Sequence, residues 1–216
     1  MEKSFTPQSK LMVLLPVILV WVLCSCGNRK TYDFSRTPSF SGDNVNAVIE
    51  IPAGTNRIIT WDPGQRAFIT GQQEHTGREM VDFLPFPANY GFVPGTFTDP
   101  VLGGDGRPVG IMVICESLPT GTLIEVVPVL VFYFDDDEGP RNRLTDPVVL
   151  AVPASKTLRV IQAVTYEELF DDYPDIVDIV VRWFTSCKGK DVRQLRAMGD
   201  GDVALNEIKK WEVRRF

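Results

Sequence analysis

Leu123-Ile124-Glu125-Val126-Val127-Pro128-Val129-Leu130-Val131-Phe132-Tyr133-Phe134 is the stretch on which the fold turns. It is dominated by Val, Leu, Ile and Phe and runs into acids and Gly139-Pro140, the composition of a strand bounded by a turn. Shorter segments repeat the signal: Ala47–Ile51, Ile111–Cys115, Val148–Val152 and Leu158–Val164, flanked by Pro, Gly or Asp. Two helical segments follow. Thr165-Tyr166-Glu167-Glu168 has the spacing of a capping box. Pro174 suits a first helical turn, and Ile176, Ile179, Val180, Trp183 and Cys187 recur at three or four residues as one buried face. The last helix is expected from near Asp202, with Leu205, Ile208 and Trp211 along one stripe. Many short strands and few helices predict a mainly β chain: one domain, a small barrel with two C-terminal helices packed outside.

The composition agrees with a folded domain: 216 residues, 44% hydrophobic and 23% charged. Disorder and disulfide-dense miniproteins are excluded on those proportions. A net charge of −6 and a pI near 4.9 offer no basic footprint for nucleic acid. His75 is the single histidine, which argues against multi-histidine metal sites and a histidine base.

The N-terminus reads as an address. Lys3 and Lys10 precede an apolar run, Leu11–Cys24, shorter than the roughly 20 residues a spanning helix needs. A positive flank, a short apolar core and small residues beyond it predict a secretory signal peptide over residues 1–25. Leu23-Cys24-Ser25-Cys26-Gly27 resembles a bacterial lipobox, which implies a lipid on Cys26 and an exported, membrane-anchored chain. Residues 26–45 are polar with scattered Pro and Gly, the composition of a tether, and residues 46–216 form the domain. Loss of residues 1–25 removes Glu2, Lys3 and Lys10 and leaves 20 basic against 27 acidic side chains, a net −7. Cys115 and Cys187 then remain and are expected as buried thiols rather than a disulfide.

Three segments carry candidate chemistry. Gly103-Gly104-Asp105-Gly106-Arg107-Pro108 is a glycine-dense loop with opposite charges ahead of a strand, suited to close approach of a ligand or to a plain turn with an ion pair. Asp135-Asp136-Asp137-Glu138 is an acid run that a cation or solvent must relieve. Pro85-Phe86-Pro87-Ala88-Asn89-Tyr90-Gly91-Phe92-Val93-Pro94-Gly95 reads as a rigid aromatic loop, a cavity wall or a packed corner.

Taken together, Ile49-Glu50-Ile51-Pro52, Asn89 through Thr96, Gly104-Asp105-Gly106, Leu150-Ala151-Val152-Pro153 and Phe184 through Gly189 resemble the soluble family I inorganic pyrophosphatases in order and spacing. The resemblance implies a five-stranded, OB-like barrel with a polar cavity. It also implies Mg²⁺ ions that activate a water to split pyrophosphate into two phosphates. Carried over residue by residue, it assigns catalytic roles to Glu50, Tyr90 and Asp105. It assigns phosphate binding to Arg78, Lys188 and Arg107, and metal binding to Asp105, Asp146 and one of Asp135, Asp136 or Asp137, with Asp137 preferred.

The departures from the family pattern fall on the metal site. The family motif Asp-Gly-Asp-x-x-Asp here reads Asp105-Gly106-Arg107-Pro108-Val109-Gly110, so formal charge at the three acidic positions goes from −3 to zero. The lysine expected two residues past Asp146 is Val148, and the Lys and Glu expected after the first strand fall on Ile58 or Ile59 and on Thr60 or Trp61. Two cavity tyrosines are Phe86 and Cys187. An arginine near a cation position repels the ion but binds phosphate well. The sequence therefore predicts reduced or lost hydrolysis by a family member. The alternative is a non-catalytic exported lipoprotein that binds pyrophosphate, another small phosphorylated ligand or a protein partner, touches the membrane only through its lipid, and leaves a homo-oligomer open.

Overall fold

The structure is a computed structural model and describes residues 33–72, 77–136, 147–189 and 193–213. The quoted stretch is its central strand. Nine strands are described: β1 (Phe40–Ser41), β2 (Asn44–Ile51), β3 (Ile59–Asp62), β4 (Ala67–Thr70), β5 (Asn89–Phe92), β6 (Gly110–Val113), β7 (Leu123–Asp136), β8 (Pro147–Pro153) and β9 (Arg193–Asp200). Three α-helices are described with them: α1 (Tyr166–Asp172), α2 (Pro174–Ser186) and α3 (Gly201–Lys210). β7 is long enough to pair with β2 along its first residues and with β8 and β9 further on. Pro128 lacks the amide a ladder needs, and the register shifts at Pro128/Leu130.

The main sheet runs β1-β2-β5-β6-β8-β7-β9, and the β2–β7 pairing closes β2, β5, β6, β8 and β7 into a five-stranded ring. β3 and β4 form a separate two-stranded sheet. Alternation along the ring strands separates two apolar clusters. Met112, Leu130, Phe132, Phe134, Leu150 and Val152 pack with Leu169 of α1 and Val180, Trp183 and Phe184 of α2. Ala47, Ile49, Ile111, Val126, Val149 and Ala151 pack with Ala204 and Ile208 of α3 and with Trp211. The mainly β barrel with flanking helices expected from the sequence is the fold observed.

Several local expectations change. Leu158–Val164 is not a strand: a 3-10 turn covers Lys156–Leu158, Val160 is half exposed, and Cys115↔Arg159 is an isolated bridge. The aromatic loop contains β5, and Arg193–Asp200 adds a strand where none was expected. The predicted capping box at Thr165 and Glu168 forms, and Pro174 starts a helix of its own because the backbone at Tyr173 is non-helical. Hence three described helices stand where two were expected. On α2 the buried face is Val177, Val180, Trp183 and Phe184, whereas Ile179 is exposed. Described structure also begins before residue 46, within the stretch whose composition reads as a tether. Phe34 is buried beside Val48 and Phe92, and β1 pairs with β2, because Phe34 and Phe40 give residues 33–45 something to bury.

Candidate functional site

A cavity of about 720 Å³ opens beside the ring, and its chemistry begins at an irregularity in β2. The register runs Ile49↔Gly91 and then Ile51↔Tyr90, so Glu50 is an extra residue, a bulge. A bulge re-aims side chains. Here Ile49 joins the α3-side cluster, Ile51 the α2-side cluster, and Glu50 lines the cavity. The close approach of the strands requires Gly91, where a Cβ would lie 1.8 Å from the Val48 carbonyl oxygen. Glu50 Oε1 accepts a hydrogen bond from the Trp61 amide at 2.6 Å, which ties the β3–β4 hairpin to β2. Burial pushes the Glu50 carboxyl up to about 7, against the opposing pull of that amide and of the Arg107 charge.

The glycine-dense loop wraps around its own chain. Gly106 donates to the Thr98 carbonyl at 2.8 Å, and a Cβ on Gly104 would lie 2.4 Å from Thr98 backbone atoms. The loop is thus a turn packed on Thr98 that carries an ion pair. Asp105 Oδ1 accepts from the Thr98 hydroxyl at 2.6 Å and from the Arg107 amide at 2.9 Å. Asp105 Oδ2 lies 3.6 Å from Arg107 Nε. Both Asp105 and Arg107 line the cavity.

Gly110 and Val148 are direct partners across β6 and β8 and also line the cavity. A Cβ on Gly110 would lie 2.8 Å from the Tyr90 hydroxyl, so the phenol stands at the edge of the space a side chain there would use. Tyr90 is set by its strand and by ring contacts to Phe86 at 5.6 Å and Phe184 at 6.0 Å. Cys187, the last residue of the expected α2 face, is buried, and Lys188 follows it into the cavity. Arg193, which sequence reasoning missed, is buried with its guanidinium over Phe134 at 4.7 Å and Phe184 at 5.4 Å, and it lines the same cavity. No motif surrounds it. The register Asp136↔Arg193 places it at the cavity, and that pairing exists only in the folded sheet.

Other expected site residues lie elsewhere. Arg78 is exposed, forms an ion pair with Asp82, and does not line the cavity. Asp135 forms an ion pair with Arg196 and is also absent from the lining. Asp137, Asp146 and His75 lie outside the described residues. The structure thus brings together Glu50, Tyr90, Asp105, Arg107 and Lys188 of the expected set, and adds Arg193.

Comparison with known proteins gives this cavity a context. Residues 47–215 match the family model described as inorganic pyrophosphatase. The chain belongs to the inorganic pyrophosphatase family. The inorganic pyrophosphatase of Sulfolobus acidocaldarius is 34% identical over 179 residues, 77% of this chain and 88% of that protein. That of Aeropyrum pernix is 38% identical over 138 residues, 63% of this chain; the chain spans just under two thirds of that relative, 64%. The fold matches the crystal structure of an inorganic pyrophosphatase from Neisseria gonorrhoeae with a TM-score of 0.65 at 24% identity, covering 83% of this chain and 96% of that one.

Against the carboxylate-rich cavity that the pyrophosphatase family implies, the described donors fit Mg²⁺ poorly. Among the described residues no three His, Cys, Asp or Glu side chains converge on one point. Asp105 is engaged by Thr98 and faces Arg107, and Glu50 is held by burial at an acidity where much of it carries a proton near neutral pH. The described lining holds three cations, Arg107, Lys188 and Arg193, against two carboxylates. Such a set attracts phosphoryl oxygens more readily than divalent ions.

Proposed function

We propose that this pyrophosphatase-family chain is an exported, Cys26-anchored lipoprotein whose cavity binds pyrophosphate or another small phosphorylated ligand, with Mg²⁺-dependent hydrolysis reduced or lost. The observation that carries this reading is Arg107, 3.6 Å from the one described carboxylate of the metal motif, at a position where the resemblance expects an acid. A guanidinium there repels an incoming cation and offers a fork of donors to a phosphoryl group. Lys188 adds a point charge, and Arg193 adds one held in position by two aromatic rings. Glu50, protonated over part of the neutral range, can donate to a phosphate oxygen instead of repelling it.

The test pairs binding with turnover. Calorimetric titration with pyrophosphate in EDTA is expected to retain binding, and Arg107→Ala to weaken it at least about tenfold. Phosphate release with Mg²⁺, Mn²⁺ or Zn²⁺ is expected to stay at the level of a Glu50→Ala, Asp105→Ala double variant. Strictly metal-dependent binding with rapid release would overturn the proposal.

A further inference from the structure

The wall of the cavity formed by the β3–β4 hairpin differs in kind from the rest. Its register, Ile59↔Thr70 to Asp62↔Ala67, makes a ribbon separate from the ring. It is fixed by the Trp61 amide on Glu50 and by Trp61 ring contacts to Phe34 and Phe68 at 5.1 and 5.0 Å. Ile58, Ile59 and Trp61 all line the cavity, and all three are only partly buried. Apolar surface left against water in a preformed cavity gains nothing until a ligand covers it. Bare pyrophosphate, two phosphorus atoms and their oxygens, has no atoms that can do so. It also leaves most of about 720 Å³ unfilled, a volume within the range of pockets for small organic molecules.

The same cavity carries Arg107, Lys188 and Arg193. A space with cations at one set of positions and aliphatic and aromatic surface at another is complementary to a molecule divided in the same way. We infer that the preferred ligand is an organic diphosphate or phosphate ester whose hydrocarbon part lies against Ile58, Ile59 and Trp61. This rests on the proposed function, since it requires the cavity to bind phosphoryl groups at all.

Each methylene taken from water contributes about a fourfold gain in affinity when fully covered. Titration of the purified protein with inorganic pyrophosphate, dimethylallyl diphosphate and geranyl diphosphate is therefore expected to give rising affinity along the series, about tenfold or more overall. A negative heat-capacity change should grow with chain length. Ile59→Asn, and the milder Ile58→Ala as a folding control, are expected to collapse the ratio of geranyl diphosphate to pyrophosphate affinity to within about threefold. If pyrophosphate binds and the esters bind no tighter, the inference falls while the proposed function stands. A ratio unchanged in both variants, or adenosine diphosphate binding more tightly than geranyl diphosphate, also overturns it. If none of the phosphorylated compounds binds, both fall together.

Discussion

Glu50 accepts from the Trp61 amide and lies near Arg107, yet burial outweighs both and raises its carboxyl from 4.5 to about 7. Between those values the folded chain holds a proton that the unfolded chain has released, so the Glu50 contribution to stability is fully present below pH 4.5 and is lost as pH rises through 7. The loss is on the order of 3 kcal/mol, and Glu50→Gln should remove most of it. Urea unfolding at pH 5 and pH 8 tests this: equal pH slopes in the parent and the variant would refute it. Gly110 and Val148 support a second expectation. The resemblance assigns an aspartate and a lysine to positions that the register makes direct neighbours. A lysine alone at position 148, where Val148 is 2% exposed, would be buried without its partner, and an aspartate alone at position 110 would lack the cation opposite it. Gly110→Asp must also displace the Tyr90 hydroxyl, 2.8 Å from the new Cβ. Each single substitution should therefore destabilise by about 2 kcal/mol or more, and the double variant should be more stable than the sum by about 1–3 kcal/mol. Strict additivity of the three melting curves would argue against the pairing.

Among the elements, the β2–β5 crossing matters most, because it creates the bulge that aims Glu50. A Cβ on Gly91 would meet backbone, 1.8 Å from the Val48 oxygen, and no rotamer change relieves that contact. Gly91→Ala is expected to destabilise by about 3 kcal/mol or more and to lower ligand affinity in whatever protein remains folded. A variant with parental stability would mean that the strands are not so closely apposed. This crossing also explains what the sequence could disclose. β2, β6, β7 and β8 were legible because each strand buries mostly apolar, largely β-branched residues. Asn89-Tyr90-Gly91-Phe92 was not, since its glycine serves a close backbone approach and its neighbouring prolines look like loop. Arg193–Asp200 was hidden because it is an outer strand of the sheet on which only Arg193 is buried, which leaves no apolar alternation to read. Leu158–Val164 misled for the opposite reason: it is apolar, but finds no ladder beyond the bridge at Arg159. At the site, Asp105 and Arg107 could be found from one motif. Arg193 could not, because pairing with β7 and stacking on Phe134 and Phe184 bring it in, and those are properties of the assembled sheet.

At the scale of the whole molecule, the proposed address and the cavity make separate demands. Leu11–Cys24 falls short of a bilayer span, so stable retention on a membrane would have to come from lipid on Cys26. A single acyl chain holds a protein only marginally, and a mature net charge of −7 gives no electrostatic help on an anionic surface. Retention therefore calls for more than one chain on that cysteine. Expressed in a bacterial host, the parent is expected in the membrane pellet and in the detergent phase of a cloud-point partition. Its mass should exceed that of residues 26–216 by the added lipid. Cys26→Ser is expected in the soluble fraction, with the same melting temperature, because the described fold, with Phe34 buried and Phe40 partly so, begins after position 26. If Cys26→Ser stays in the pellet with residues 1–25 still attached, the apolar run is the anchor and the lipoprotein reading fails.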